Sequence, residues 1–301
     1  MELSVVVPTL NGREELAGCL DALAEYVPDA EIVVVNGPSA DGTTGMVQER
    51  SDVSVLVEIA DRSVNVARNA GIDRATGDVV ALVNQGLSVE DGWFEAIRGA
   101  FDEACSVVTG PTHHQLRAGM TTQKKESRTI AGREVTYFNP GNVAIDAAVL
   151  TELDGFDEYL PVGGARDFAH RLASTDHEVA WDSAMSVSRE FGADGGREET
   201  DWHWKFQSLS YRLVKNYGVR PTVARRIGSH AVRDGFEALK DVARGDAVPS
   251  EWFGTGKDVV RGVKTGVQDG IAARVRDRSS RRNPNGRSKR ADRAVAVYDW
   301  R

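Results

Sequence analysis

Cysteine is nearly absent from this 301-residue chain, which holds only Cys19 and Cys105. Cys19 falls in an apolar helical pattern and Cys105 at the start of a strand pattern. Neither has a partner at metal-binding spacing, so a disulfide framework and a thiolate metal centre are both excluded. Long apolar runs are missing too. The longest, residues 5–7 and 79–83, have the length of buried strands, far short of the ~20 residues that span a bilayer. The opening Met1-Glu2-Leu3-Ser4 lacks the basic stretch of a signal peptide and leads straight into a strand pattern, so a cytoplasmic location is expected. Lysine is scarce, eight against 29 arginines and 45 acidic residues. An acid-rich, lysine-poor surface suits solubility at high salt and points to a salt-loving source.

Hydrophobic residues make up 41% of the chain, enough for one large α/β domain with a smaller appended element. The net charge of −8 is unevenly spread: residues 271–301 carry ten Lys/Arg against three Asp/Glu, a local +7 that leaves −15 to the remainder. Strand patterns at 3–7, 32–35, 53–59, 79–83 and from 107 alternate with helical patterns at 16–23, 43–50, 65–75 and 92–104. Ser88-Val89-Glu90-Asp91 has the form of a capping box for the last of these. Single helices between strands predict a mostly parallel sheet with helices on both faces. Ligands then bind beyond the carboxyl ends of the strands, at 8–11, 36–41, 61–68 and 84–86.

Residues 112–133 read as a hairpin or loop excursion, followed by short helices at 146–153 and 167–174 and short strands at 178–181 and 185–188. From Asp201 the pattern is helical, over 202–217, 222–243 and 252–273. Residues 278–290, rich in Arg, Ser and Asn, read as unstructured. The expected organisation is a domain over 1–200, a helical extension over 201–273 and a basic, disordered tail over 274–301.

The turn Asn36-Gly37-Pro38-Ser39-Ala40-Asp41-Gly42-Thr43 follows a strand and opens a helix, where exposed amides suit an anion or a ribose. A plain β–α turn is the commoner meaning of one such segment, and it is neither a P-loop nor a GxGxxG turn. Its neighbours add to it. Val5-Val6-Val7-Pro8-Thr9-Leu10-Asn11-Gly12, the turn at 34–43, Asn65-Val66-Ala67-Arg68-Asn69-Ala70-Gly71 with Ala75-Thr76-Gly77-Asp78, and Gly141-Asn142 with Leu153-Asp154-Gly155-Phe156-Asp157-Glu158 together resemble family 2 glycosyltransferases. The resemblance implies a GT-A-like fold, a mostly parallel sheet flanked by helices, here with a helical C-terminal extension. The ending, from Arg282-Asn283-Pro284-Asn285-Gly286 to Tyr298-Asp299-Trp300-Arg301, is similar to glycosyltransferases of halophilic archaea that build lipid-carried glycans for surface-glycoprotein N-glycosylation.

By that resemblance the partner is a nucleotide sugar or lipid-linked sugar. Pro8, Thr9, Asn11, Asn36, Asp41, Arg68, Asn84, Gln85 and Gly86 would lie on the donor side, and Gly141, Asn142, Arg166 and His170 on the acceptor side. The family pattern also carries an Asp-x-Asp after the fourth strand that holds Mg²⁺ or Mn²⁺, and a later carboxylate base. Here the first position reads Asn84-Gln85-Gly86, carboxamides that cannot supply the anionic oxygens a hard cation prefers. The base position falls at Ala165, followed by Arg166, with Asp167 as the substitute base. Arginines are then left to stabilise the diphosphate. Each also has a plainer meaning: Arg68 a solvated helix residue, Arg166 a surface charge, Asp167 a helix cap. Two readings stay open, a glycosyltransferase working without the usual acids and a non-catalytic paralogue that binds sugar nucleotide or glycan.

His113 and His114, being adjacent, do not share a helix face and read as loop residues. Trp202 and Trp204 suit an acceptor site or, more commonly, the flank of a core helix. For the basic tail, solvated disorder is the default. A contact with anionic lipid, shared with the amphipathic stretch 202–217, is the second reading. No recognition module accompanies it, so nucleic acid is not expected.

Overall fold

The computed structural model describes residues 1–116, 119–122, 125–189, 201–244 and 249–301. Valine-rich strands β1 (Leu3–Thr9), β2 (Glu31–Asn36), β3 (Val55–Ile59) and β4 (Val79–Val83) are separated by helices α1 (Arg13–Tyr26), α2 (Thr43–Gln48) and α3 (Val64–Ile72). All seven residues of β1 are buried, as a parallel strand covered on both faces requires. Next come β5 (Ser88–Val89), α4 (Trp93–Asp102) and β6 (Val107–Thr109). The capping box expected at 88–91 is not formed. Ser88 is engaged in a strand pairing with Ser188, and Gly92, left-handed at φ 84, opens α4 without a side-chain cap.

The stretch at 112–133 belongs to two separate antiparallel pairs. They are β7 (Thr112–Leu116) with β8 (Gly119–Thr122), and β9 (Glu126–Ile130) with β10 (Arg133–Tyr137). After β11 (Asn142–Asp146) come α5 (Ala147–Glu152), α6 (Gly164–Leu172), β12 (Val179–Trp181) and β13 (Val187–Arg189). Helices α7 (Trp202–Tyr217), α8 (Pro221–Arg244) and α9 (Pro249–Arg276) and the strand β14 (Ala294–Asp299) complete the chain.

The main sheet runs β12-β6-β11-β4-β1-β2-β3-β14. Strands β4, β1, β2 and β3 are parallel, β11 and β14 antiparallel to their neighbours. One face packs its Val5, Val7 and Val34 against α1 and α4, while the other packs Val6, Val33 and Val35 against α3, with α6 and α7 in the same core. Gly71 sets the approach of α3 to the sheet, since a Cβ there would lie 2.2 Å from Val6 Cγ1.

The tail corrects the expectation of disorder. Strand β14 pairs antiparallel with β3, residues 287–289 form a 3₁₀ turn, and the Asn283 amide donates to the Asp154 carbonyl at 2.8 Å. Its arginines find acids distant in sequence: Arg287 and Arg293 on Asp73, Arg290 on Glu158 and Asp61, Arg301 on Glu31. The stretch 202–217 is likewise turned inward, with Phe206, Leu209, Leu213 and Tyr217 buried in the core. No helix among the described residues is long and apolar enough to cross a membrane.

Helix α7 is fastened by a wholly buried charge cluster. Lys215 Nζ lies 2.5 Å from Asp157 Oδ2 and 2.8 Å from Asp167 Oδ2, and Arg171 Nε reaches the latter at 2.9 Å. Tyr211 donates to Asp157 and accepts from the Asn285 amide of the tail. Removing one member leaves uncompensated charge in a dry interior. Lys215→Ala should therefore cost about 3–5 kcal/mol in urea unfolding, whereas Arg301→Ala, at a part-exposed pair, should cost about 1 kcal/mol or less.

Candidate functional site

Two cavities adjoin at Val64, the second residue after the exposed Arg62. The narrower, about 360 Å³, lies where the carboxyl ends of β1 to β4 come together and includes Thr9, Gly37, Ile59 and Asn84. Three residues that line it, Thr9, Ser63 and Arg189, each hold a buried polar atom, Oγ1, Oγ and Nε, that makes no hydrogen bond within the protein. Such groups cost free energy unless something bonds them, so their convergence on one cavity marks a place for a polar ligand. The wider cavity, about 520 Å³, is lined by Asn65, Arg68, Tyr137 and the start of α6, Gly163 to Arg166.

Five of the nine donor-side residues lie together here. Pro8, Thr9, Asn84, Gln85 and Gly86 line the narrow cavity. Gln85 Oε1 accepts the Leu10 N–H at 2.9 Å, tying the β4 tip to the β1 loop. Asn84 fits only because Gly141 has no side chain, a Cβ there lying 2.5 Å from Asn84 Nδ2. Asn36 is not free to read a base: its carboxamide accepts from Ser39 at 2.6 Å and donates to Thr44 at 3.0 Å. Asn11 and Asp41 stitch loops together, through Ala40 N–H and through Arg13 and Thr43. The Thr43 hydroxyl bond, with the Arg13 and Thr43 amides, lowers the Asp41 carboxyl below its usual range.

Arg68 is no solvated helix residue. It is 4% exposed, with Nη1 donating to Asn65 Oδ1 at 3.0 Å, its guanidinium over the Phe156 ring, and Nε unpartnered. Burial pushes it down to about 10. Arg166 lies at the rim, 3.0 Å from Glu126 and over the Tyr137 ring.

Asp167, His170 and Asn142 lie outside the cleft, and Asn11, Asn36, Asp41 and Gly141 line neither cavity. Asp167 is corrected from substitute base to structural anion. It is fully buried beneath Lys215 and Arg171, and although burial pushes its carboxyl up, those charges outweigh this and hold it below the usual carboxylate range. A carboxylate so paired and so weakly basic has neither access to an acceptor hydroxyl nor the affinity to take its proton. His170 is buried against the Tyr217 hydroxyl at 2.9 Å. Asn142 is spent on Trp93 Nε1 and the Met185 carbonyl. Ser63 was within the stretch flagged at 61–68, but Arg189 was missed; a lone arginine ending a three-residue strand carries no local signal.

Residues 4–151 match the family model for glycosyl transferase family 2. Over that stretch the chain is similar to family 2 glycosyl transferases. Its relatives include a pre-mycofactocin glycosyltransferase of Mycobacterium tuberculosis, 21% identical over 204 residues, which cover 63% of this chain and 43% of that protein. Glycosyltransferase AglE of Haloferax volcanii is 29% identical over 100 residues, 31% of this chain and 33% of that protein. The chain thus spans less than half the length of these curated relatives. Among solved structures, S. aureus TarS 1–349 in complex with UDP-GlcNAc aligns at TM-score 0.64 and 16% identity, covering 87% of this chain and 82% of that one. The mannosyltransferase PcManGT of Pyrobaculum calidifontis, in complex with GDP-Man and Mn²⁺, aligns at 0.54 and 16%, covering 92% and 88%. The fold is GT-A-like.

The donor atoms at the β4 tip do not fit a divalent cation. Asn84 and Gln85 offer neutral oxygens, and that of Gln85 is already taken by Leu10 N–H. Of the carboxylates on the narrow cavity, Asp61 is paired with Arg290 at 3.1 Å and Glu15 comes from α1. Among the described residues no three His, Cys, Asp or Glu side chains gather as a metal cluster.

His170 gives the domain a pH signature. Burial, then the Arg212 charge, pushes its ring down to about 3, so the folded state keeps it neutral. Unfolded, it titrates near ~6.5, and between those values the unfolded chain binds the extra proton. Stability should then fall as pH drops through this window, by up to about 1.4 kcal/mol per pH unit from this group. His170→Gln should flatten that slope in urea melts run from about pH 7 to about pH 5.

Proposed function

We propose that this chain transfers a sugar from a nucleotide-activated donor in the narrow cavity to an acceptor hydroxyl entering through the wide one. The acceptor oxygen bonds to the anomeric carbon as the bond to the diphosphate oxygen breaks, and the hydroxyl proton passes to solvent or substrate. The observation that carries this reading is that Thr9, Ser63 and Arg189, each with a buried and unpartnered polar atom, line one cavity beyond the carboxyl ends of β1 and β4. A nucleotide's ribose and phosphates present the oxygens these donors lack. UDP-GlcNAc and GDP-Man in the structural neighbours support the donor class. The similarity of the chain's ending to halophilic glycosyltransferases favours a lipid-linked glycan as acceptor.

Charge development on the leaving diphosphate falls to Arg62 and Arg189, which line the narrow cavity. A second reading has its own observation. With Ala165 at the base position and Asp167 sealed in the core, no carboxylate from α6 reaches the cavity, as in a paralogue that binds without turnover.

The test is a transfer assay with UDP- and GDP-sugars, in EDTA and in Mn²⁺, beside calorimetric donor binding. Turnover indifferent to EDTA is expected, and Arg189→Gln should reduce kcat/KM by roughly 10- to 100-fold, the worth of one charge-assisted hydrogen bond. Strong stimulation by Mn²⁺ would overturn the metal-free route, binding without turnover would favour the paralogue, and failure to bind any nucleotide sugar would sink both.

A further inference from the structure

The deep end of the wide cavity holds positive charge without a matching anion, while Glu126 pairs with Arg166 at its rim. The helix α6, nine residues long, starts on its wall behind Gly163, and no side chain caps it. Its first hydrogen bond in the chain runs from Asp167 N–H to the Gly163 carbonyl, which leaves the amides of Gly164, Ala165 and Arg166 as the open turn of the helix. Those amides and the helix dipole favour an anion.

A second, independent feature converges there. Arg68, 4% exposed, lines the same cavity, and its Nε has no partner. Among the described residues it bonds the neutral amide of Asn65, and no carboxylate pairs with it. Asn65 also joins it to α6, for a Cβ on Gly164 would fall 2.5 Å from the same Asn65 Oδ1 that Arg68 binds. Behind the wall stands a second, half-buried arginine, Arg212, whose Nη1 lies 2.6 Å from where a Gly163 Cβ would sit and whose Nε is also unpartnered. Burial holds both arginines down to about 10, a sign of how little compensating charge surrounds them. The rim is balanced differently, since Arg166 faces the Glu126 carboxylate at 3.0 Å. The deep end is a cation pocket short of its anion, and isolated buried charge is costly unless paired.

We propose that the wide cavity is an anion-binding acceptor subsite, taking a carboxylate or phosphate carried by the acceptor and seating it between the start of α6 and Arg68. This rests on the reading of the narrow cavity as the donor site. It narrows the acceptor class to acidic glycans, those bearing a uronate or a phosphate ester. Ala165 is what permits it, because an acidic side chain at that position would satisfy the same amides and repel a substrate anion.

The probes are D-glucuronate, inorganic phosphate and, as the neutral control, D-glucose, titrated calorimetrically into the full chain with and without saturating UDP. We expect glucuronate or phosphate to bind alongside UDP, with D-glucose at least 10-fold weaker, and the better of the two to name the acceptor's acid. Ala165→Asp and, separately, the rim variant Arg166→Gln should each weaken the anion at least 3-fold while UDP affinity stays within 2-fold, which also reports that both variants are folded. If the anions bind only in the absence of UDP, the pocket belongs to the donor's diphosphate and the proposal is wrong. If UDP binds but neither anion does, or the variants leave anion affinity unchanged, the subsite falls while the donor reading stands. If UDP itself does not bind, the donor reading fails, and this proposal with it.

Discussion

Lys215 is the fixed point of the molecule. Its ammonium group, without solvent access, joins Asp157 on the loop before α6 to Asp167 within α6, and it comes from α7, outside the parallel βα unit. Arg171 completes the cluster and also donates to the Leu153 and Gly155 carbonyls, while Tyr211 and Asn285 extend it to the tail. Four buried charges of balanced sign hold only if every lone pair and proton is met. That demand ties the helical extension, the tail and the segment carrying α6 into one arrangement. Helices α7 and α9 then pack closely because Gly262 and Gly266 leave no side chain between them; a Cβ on either would sit 2.3 Å from an α7 carbonyl.

The same cluster shapes the cleft by subtraction. Asp167 is the one acid in the first turn of α6, and it points inward to Lys215, not outward to the cavity. With Ala165 beside it and carboxamides at the β4 tip, negative charge has left the deep walls, while Arg68, Arg189 and Arg212 remain with unpartnered nitrogens. The electrostatic balance of the site is thereby handed to whatever substrate enters it.

Much of the sheet was legible in the sequence because it is local. Val33 to Val35 and Val79 to Val83 announce buried parallel strands, and the Pro8–Asn11 and Asn36–Asp41 turns fall where topology puts a ligand. The tail was not legible. Arg287, Arg290 and Arg293 look like a solvated run until Asp73 and Glu158 are brought to them by folding, across more than 130 positions. Asp167 misled for a related reason. Its spacing from Arg171 and Leu172 places it correctly on the helix, but only the packing of α7 decides which way the carboxylate faces. Arg189 is beyond reach for the opposite reason: its cavity is assembled from β1, β4 and the start of α3, none near it in the chain.

The position of β14 carries a consequence for handling the protein. By lying antiparallel along β3 it hydrogen-bonds the outermost parallel strand, whose row of amides and carbonyls would otherwise stand ready to recruit a strand from another molecule. The open edge of the sheet is thereby moved to β14, whose register is broken between Ala294 and Ala296. Trimming the strand, or pulling on it with a bulky fusion, would bare the regular β3 edge to strands of other copies.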